Sequence, residues 1–404
     1  MNPLIQLKRT ILIFLVGLGF ACFALSPWMQ AVTPPPDGGY TGWNTAEGED
    51  ALFNLTIGGF NTAIGAHALY GNTTGSSNTA VGAWSLAANS LGYQNVAIGQ
   101  GTLRNNTTGP ANTAIGFYAL FSNAYGPANT ATGVLALHNN TVGGENTANG
   151  VGALQNNSNG SDNAATGVQA LQHNTIGNFN TANGAFALRA NTRGNNNTAI
   201  GEAALLNNTT GRNNTGLGVD AGLSVTTASN VTCIGASVAG ADVSNTTWIG
   251  NVYGVTTQSG TTAPVIVSAD GQLGTVASSE RFKKDIAVME KASEAILSLR
   301  PVTFHYKTDA KDTPQFGLIA EEVAKVNPAL VLPDKDGKPY TVRYDAVNAM
   351  LLNEFLKEHR KNEEQEATIA RQQKQIDTLA AGLQKASAQF ELTKPGLKTV
   401  LSAQ

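Results

Sequence analysis

The chain has 404 residues, of which 42% are hydrophobic and only 13% charged, and its formal net charge is −3. This length allows two or three domains with substantial cores. The charge is unevenly distributed, because residues 44–270 hold four Arg, no Lys and nine acidic residues, whereas residues 278–404 hold 19 basic and 18 acidic ones. Without a basic face the first part is excluded as a nucleic-acid-binding surface. The two parts are expected to be different domains.

The amino terminus has the layout of a secretory signal peptide. Lys8 and Arg9 precede an apolar run at residues 11–25, and Ala31 follows as the expected cleavage position. The sequence therefore predicts a signal peptide at 1–31, a linker at 32–43, and a secreted or cell-surface protein with no stable transmembrane segment after signal removal. An uncleaved anchor and a lipid on Cys22 are the alternatives. Once the signal is removed Cys233 is the only thiol, so no intrachain disulfide is expected.

A 17-residue repeat follows the linker. Gly recurs without interruption at 48, 65, 82, 99, 116, 133, 150, 167, 184, 201, 218 and 235. A second Gly, a Leu and an Asn recur at fixed distances from the first. A unit this short cannot bury an apolar face alone, so neighbouring units must stack. The repeat predicts a β-solenoid at 44–240, followed by a β-rich connector at 241–277.

Each register of the repeat has an expected structural role. The Thr-Ala-Ile piece predicts a short strand, the Ala-Leu piece fills the interior, and the two Gly registers mark corners with positive φ or close backbone approach. Asn three residues after Leu is expected to stack as an amide ladder or to bond to a turn. A polar ladder at Thr132, Asn149, Thr166 and Asn183 replaces the usual Ile or Val, and fits either a trimer axis or a ligand groove.

The histidines of the repeat do not suggest a metal site. His67, His138 and His173 fall in three different registers and therefore cannot stack. Neither a metal nor any other cofactor is expected.

The repeat resembles the head repeats of trimeric autotransporter adhesins and related bacterial and phage fibre proteins. Two pieces of the repeat carry this resemblance: Asn-Thr-Ala-Ile-Gly, found at residues 61–65, 112–116 and 197–201, and the Ala-Leu piece that follows it. The resemblance implies a homotrimer that binds a cell-surface or glycan receptor. The adhesin heads usually have a shorter unit, and no outer-membrane anchor motif is recognised near residue 404.

The charged part of the chain predicts a small α+β domain at 278–343. A helical stretch is expected at about 287–299, strands at 300–306 and 316–319, and a short helix from Ala320. A helix at 344–390 has apolar residues and one Asn at a spacing of seven, which indicates a coiled coil followed by a tail at 391–404. These positions are Phe355, Asn362, Ile369, Ile376, Leu383 and Phe390. The alternative is a lone amphipathic helix packed on its own domain.

Four ordered blocks in this region resemble the endosialidase-type intramolecular chaperone autoproteases. They are Ser-x-x-Arg-x-Lys-x-x-Ile from Ser278, Leu-Arg-Pro-Val-x-Phe from Leu299, Phe-Gly-Leu-Ile-Ala-Glu-Glu-Val from Phe316, and Val-Arg-Tyr-Asp from Val342. The resemblance implies that Ser278 is a nucleophile, that Lys283 is its base, and that the chain is cut between Ala277 and Ser278. Taken without the blocks, Ser278 or Ser279 would be a helix N-cap and Lys283 a solvated charge.

The expected fold is mainly β: a repeat β-solenoid, a small α+β domain and a C-terminal trimeric coiled-coil helix. The expected function is that of an exported homotrimeric fibre or adhesin whose C-terminal chaperone sets the chain register and cuts itself once, as a self-cleaving serine endopeptidase. A phage-derived tail fibre is one alternative. An ice- or polysaccharide-binding solenoid with an uncleaved trimerisation cap is the other, because Thr recurs in a row at positions such as Thr62, Thr79 and Thr113.

Overall fold

The computed structural model describes residues 40–393. The predicted signal peptide at 1–31, most of the predicted linker at 32–43 and most of the predicted tail at 391–404 lie outside the described residues. The chain divides into two compact units after Gly260. The first contains the repeats, and the second contains the charged part of the sequence.

The first unit is a parallel β-solenoid, as the repeat predicted. Thirteen three-residue strands pair in chain order, and Thr62 lies beside Thr79 exactly one repeat later in the neighbouring coil. The strands are β1 Thr45–Glu47, β2 Thr62–Ile64, β3 Thr79–Val81, β4 Val96–Ile98, β5 Thr113–Ile115, β6 Thr130–Thr132, β7 Thr147–Asn149, β8 Ala164–Thr166, β9 Thr181–Asn183, β10 Thr198–Ile200, β11 Thr215–Leu217, β12 Thr232–Ile234 and β13 Thr247–Ile249. The sheet thus continues to Ile249, within the predicted connector.

The interior of the solenoid is built from one Leu and two Ala in most coils. The middle residue of the strand, such as Ala63, is buried, and so are Ala68 and Leu69 of the following turn. Leu69 has a φ of 53°, and the nine equivalent Leu residues have φ between 50° and 53°. A left-handed backbone costs about 1–2 kcal/mol for a non-Gly residue. Burying a Leu side chain contributes about 1.5–3 kcal/mol, which offsets that cost.

Two amide ladders run through the interior. In the predicted one, the Asn89 side chain donates to Oδ1 of Asn72 (2.8 Å) and to the carbonyl of Gly92 (2.9 Å). A second ladder, which the sequence interpretation did not assign, is formed by the Asn that directly precedes each strand from β1 to β11: Asn78 Nδ2 donates to Asn61 Oδ1 (3.1 Å) and to a glycine carbonyl. These side chains are fully buried, and their paired amides avoid the cost of unsatisfied polar groups.

Glycine is required at the two repeated positions by different combinations of backbone conformation and available space. Glycines of the first register have φ from 119° at Gly235 to 146° at Gly184, a region that side chains rarely adopt. Glycines of the second register, such as Gly92, lack this φ but leave no room for a Cβ, which would lie 2.7 Å from Asn106 Nδ2. Close approach between coils therefore constrains both registers, and positive φ constrains the first register in addition.

The outer face of the sheet alternates two rows. The first strand residue is mostly Thr, and the third is exposed Ile, Val or Leu, with Ile64 at 40% and Ile200 at 43% of full exposure. In four consecutive strands the third residue is polar. These residues, Thr132, Asn149, Thr166 and Asn183, lie on the outward face. A trimer axis and a ligand groove both require that orientation.

A carboxylate caps the last regular turn of the solenoid. In the preceding coil the amide of Thr209 donates to the carbonyl of Thr226. At the next coil Asp242 replaces this carbonyl: Oδ1 accepts the amides of Thr226, Thr227 and Ala228 at 2.8–2.9 Å, and Oδ2 accepts both threonine hydroxyls. The Thr226 hydroxyl and these amides hold the pKa of the Asp242 carboxyl well below its ordinary value.

We expect Asp242→Asn to lower the thermal midpoint of the solenoid at pH 7. A carboxyl with a depressed folded pKa contributes stability above its unfolded pKa of about 4, and this contribution is lost as pH falls toward the folded value. The difference between parent and variant should therefore shrink between pH 7 and pH 2. Asp220→Asn is the control, because its side chain forms no hydrogen bond within residues 40–393. Equal pH profiles for parent and Asp242→Asn would contradict the cap.

The second unit is a small α+β domain with a long helix. Its strands form three antiparallel pairs: β14 Ile266–Val267 with β15 Leu273–Gly274, β16 Val302–Phe304 with β17 Gln315–Gly317, and β18 Val331–Pro333 with β19 Pro339–Val342. Its α-helices are α1 Ala320–Val326 and α2 Tyr344–Leu392, and 3₁₀ helices span Glu280–Phe282, Glu290–Ser298 and Pro328–Leu330. The core contains Val323, Leu330, Val342 and Met350.

The predicted helices of this unit are present, and one of them differs in type. The stretch expected at 287–299 is a 3₁₀ helix, Glu290–Ser298, and its first residue, Glu290, has a φ of 42°. Helix α2 begins at Tyr344 as predicted, and its apolar positions Phe355, Ile369 and Ile376 are exposed in the single chain. The trimeric coiled coil stays a prediction. Within residues 40–393, every helix is too short or too polar to cross a bilayer.

Candidate functional site

The residues singled out for self-cleavage lie in an exposed segment of the second unit. Every residue from 251 to 288 is exposed. Ala277 and Ser278 follow the β14–β15 hairpin in irregular backbone, and the one-turn 3₁₀ helix Glu280–Phe282 comes next. Lys283 ends that turn, with its amide donating to the carbonyl of Glu280 (2.9 Å). Ser278 and Lys283 therefore lie on either side of a single turn.

The single chain does not join these two residues. Within the described residues no hydrogen bond links the side chains of Ser278 and Lys283, and both side chains face water. Ser279 occupies the N-cap position of the turn, but its side chain makes no capping hydrogen bond. No contact therefore supports the alternative interpretation of Ser279 as a helix cap. In the single chain the side chains of Ser278 and Lys283 are two separate, exposed groups.

Apolar side chains surround the expected cleavage position without cover. Val276 is 59% exposed, Phe282 and Ile286 are each 64% exposed, and Val288 is 83% exposed. The Arg281 guanidinium lies over the Phe282 ring at 4.6 Å. Four large apolar residues within 13 positions form the kind of surface that a folding partner covers.

The other sequence blocks meet in one domain. Arg300 donates two hydrogen bonds to the Glu322 carboxylate, at 3.2 Å and 2.5 Å, and these bonds hold the pKa of that carboxyl below its ordinary value. The Tyr344 hydroxyl accepts the amide of Leu318 (3.0 Å). The Arg343 amide donates to the carbonyl of Leu330 (2.9 Å). Residues far apart in sequence thus hold the start of α2 against the end of β17 and the 3₁₀ helix Pro328–Leu330.

An open apolar groove lies where these blocks meet. Its volume is about 700 Å³, and Phe316 at its edge is 81% exposed. Its lining residues are Ile296, Leu299, Pro301, Val302, Thr303, Phe316, Gly317, Leu318, Tyr344, Val347 and Leu351. Like residues 276–288, the groove exposes apolar surface in the single chain. In residues 40–393 no group of His, Cys, Asp or Glu side chains has the arrangement of a metal site.

Sequence reasoning missed a buried polar cluster in this unit. Ser293 is fully buried and contacts Asn353, Glu354 and Lys357 of α2. Hydrogen bonds from Lys357 and Ser293 hold the pKa of the Glu354 carboxyl below its ordinary value. The sequence did contain a signal for this cluster. Asn353, Glu354 and Lys357 are spaced so that they share one face of the helix, and most of the residues next to them in sequence are apolar.

Comparison with known proteins identifies the segment that contains the candidate residues. No curated protein and no solved structure matched the chain. Residues 278–332 match the family of chaperones of endosialidase, a peptidase S74 family. The match begins at Ser278, the first residue after the expected cleavage position, and includes Lys283. Members of this family are self-cleaving intramolecular chaperones. Residues 278–332, which follow a β-solenoid in this chain, are therefore similar to the chaperones of endosialidase.

Proposed function

We propose that the protein is an exported homotrimeric fibre or adhesin whose second unit is an intramolecular chaperone that cuts the chain once, between Ala277 and Ser278. The match of residues 278–332 to the chaperone of endosialidase family carries this proposal. The β-solenoid that precedes the match supports the fibre role, since a rod of stacked coils is an extended binding surface. A signal peptide at 1–31 would provide export, and the partner would be a cell-surface or glycan receptor.

The proposed reaction uses Ser278 as nucleophile and Lys283 as base. The Ser278 hydroxyl oxygen attacks the carbonyl carbon of Ala277, and neutral Lys283 Nζ accepts the hydroxyl proton. The Ala277–Ser278 C–N bond then breaks, its nitrogen takes up a proton and becomes the Ser278 α-amine, and an ester joins Ala277 to the Ser278 oxygen. Water hydrolyses this ester to the Ala277 carboxylate and regenerates the hydroxyl.

Assembly is the step that we expect to activate this pair. A lysine accepts a proton only in its neutral form, and burial favours that form. Lys283 is exposed in the single chain, and so are its apolar neighbours Phe282 and Ile286. Further copies of the chain packed on this segment would bury all three residues. Cleavage would then follow trimer formation and could not precede it.

The long helix supports a register-setting role. Helix α2 has 49 residues and extends about 1.5 Å per residue, so it would reach roughly 70 Å. Its residues Ile369, Ile376 and Leu383 recur every seven positions and are exposed in the single chain. In a parallel coiled coil this stripe would align the three chains. Repeats that are nearly identical offer many wrong registers, and such a clamp would exclude them.

Cleavage after assembly would make the fibre kinetically stable. The released chaperone could no longer guide refolding, and the trimer would lack the route by which it formed.

The ice-binding alternative has less support. The Thr row at the first strand position shares its face with the exposed Ile, Val or Leu row at the third position. The outer face is therefore one Thr rank beside one apolar rank, whereas ice binders generally present paired Thr ranks. A phage-derived tail fibre would share both the solenoid and the chaperone segment, and differs from our proposal in its export.

The test is intact mass measurement and a denaturing gel on the freshly expressed chain. We expect a fragment spanning residues 278–404 in the parent and in Ser279→Ala, and no fragment in Ser278→Ala. Comparing Ser278→Ala with Ser279→Ala distinguishes two adjacent serines that are both exposed in the single chain. A parent that stays uncut while folded and trimeric would overturn the self-cleavage and leave a permanent trimerisation cap. A fragment that begins at Ser279 would move the nucleophile by one residue.

A further inference from the structure

A partly buried polar cluster joins the long helix to the 3₁₀ helix Glu290–Ser298. Ser293 Oγ donates to Glu354 Oε1 (2.5 Å) and accepts from Asn353 Nδ2 (2.7 Å). Lys357 Nζ donates to the same Glu354 oxygen (2.7 Å) and lies 3.8 Å from Glu294 Oε1. The cluster therefore spans about 60 residues of sequence and contains a serine, an amide, two carboxylates and an ammonium.

This cluster is partly buried, with Ser293 at its centre, and lies beside a very small apolar core. Ser293 has no exposed surface, and Glu354 is only 15% exposed. Four residues form the buried apolar core of the unit, among them Met350, one helical turn before Glu354. A polar network in such a core adds little net stability but selects one arrangement of the elements it joins. The arrangement it selects is that of the Glu290–Ser298 helix against α2.

The same contacts reach the segment with the candidate catalytic pair. Asn353 Nδ2 also donates to the carbonyl of Glu290 (3.2 Å), and the Ser293 hydroxyl lies 3.2 Å from the same oxygen. Glu290 is the residue with a φ of 42°, seven positions after Lys283. A bulky side chain holds this strained conformation only where surrounding contacts impose it. The Asn353 side chain of α2 thus holds the residue at which the exposed segment joins the folded domain.

We propose that Ser293, Asn353, Glu354 and Lys357 form a positioning cluster that transmits the placement of the long helix to the segment carrying Ser278 and Lys283. The cluster touches neither the scissile bond nor Lys283, and acts through Glu290. It makes self-cleavage depend on how α2 is packed, so that only chains whose helices are correctly assembled are cut. This inference rests on the self-cleavage proposed above.

The experiment measures the self-cleavage rate of the full chain for variants on each side of the cluster. Asn353→Ala, Ser293→Ala and Lys357→Ala should each cut at least tenfold more slowly than the parent, and Lys357→Arg should recover most of the rate because it keeps the ion pair with Glu354. Asn348→Ala is the matched control, since Asn348 is exposed on the same helix, and it should cut at the parental rate. Circular dichroism and trimer mass should be unchanged in all variants.

Leu330→Ala separates positioning from stability. This substitution opens the apolar core without touching the cluster, and should lower the thermal midpoint at least as much as Asn353→Ala. We expect it to retain a cleavage rate close to that of the parent below its midpoint. Equal slowing by Leu330→Ala and Asn353→Ala, or parental rates in all the cluster variants, would overturn the positioning role. An uncut parent would overturn the proposed self-cleavage itself, and the role of the cluster in cleavage with it.

Discussion

Lys283→Ala is expected to slow cleavage between Ala277 and Ser278 by at least about 100-fold, the usual loss when a general base is removed. The serine hydroxyl is a poor nucleophile until a neighbouring base takes its proton. Lys283→Arg should be equally slow, because a guanidinium stays protonated and cannot act as a base. The rate is measured as the appearance of the fragment spanning residues 278–404 after expression.

Lys284→Ala is the control for this substitution. Lys284 is the adjacent residue, has the same charge and is likewise exposed in the single chain. It should therefore match Lys283 in any effect on net charge or solubility, and its loss should leave the cleavage rate unchanged. If Lys283→Ala and Lys284→Ala cut at the same rate as the parent, Lys283 is not the base. Trimer mass should be measured for both variants, because a chain that fails to assemble would also stay uncut.

Gly150→Ala is expected to cause a large loss of stability in the solenoid. Gly150 has a φ of 142°, and a Cβ at this position would lie 2.7 Å from the carbonyl carbon of Gly167 in the next coil. The strained backbone alone costs about 1–3 kcal/mol of the free energy of unfolding. The overlap adds to this, because the only atoms that could move are backbone atoms of the paired coil. Thermal unfolding followed by circular dichroism and limited proteolysis would measure the loss.

Gly152→Ala is a control two residues away. Gly152 also has positive φ, at 66°, but other coils place His67 and Trp84 in this register with φ of 59° and 63°. The nearest atom to a Cβ at Gly152 would be the Gln155 side-chain oxygen, at 3.4 Å. The thermal midpoint of Gly152→Ala should therefore lie much closer to that of the parent than the midpoint of Gly150→Ala does. Equal midpoints for the two variants would show that the close approach between coils is not what limits the residue at position 150.

The solenoid could be predicted because its signal is repeated in every coil. Strand, corner and interior positions followed from Gly, Ala and Leu at a fixed spacing. The left-handed backbone of the ten buried Leu residues could not be predicted, since Leu rarely adopts it and propensity indicates the opposite. The Asp242 cap was also missed, because it depends on one side chain reaching a turn about 15 residues earlier where the repeat ends.

The second unit could be predicted less completely. Strands β16 and β17 and the start of α2 at Tyr344 followed from local pattern, whereas the pair β18 and β19 was not predicted. The cluster around Ser293 did not, because its partners are about 60 residues away and nothing in a helix pattern reveals which distant side chain will meet it. Ser278 and Lys283 came from ordered blocks rather than from geometry. Both side chains are exposed to water in the single chain, so the proposed contact between Ser278 and Lys283 would have to form on assembly.

The strict in-register pairing of coils has a consequence for how such a rod can change in length. Each coil offers its neighbour the same carbonyls, amides and glycine corner, as in the pairing of β5 with β6. A duplication or deletion of one whole repeat would join equivalent surfaces and alter the reach by about 4.8 Å, the spacing of paired strands. A single inserted codon would instead place side chains against a glycine corner. Gene rearrangement can therefore change the length of the solenoid only by whole coils.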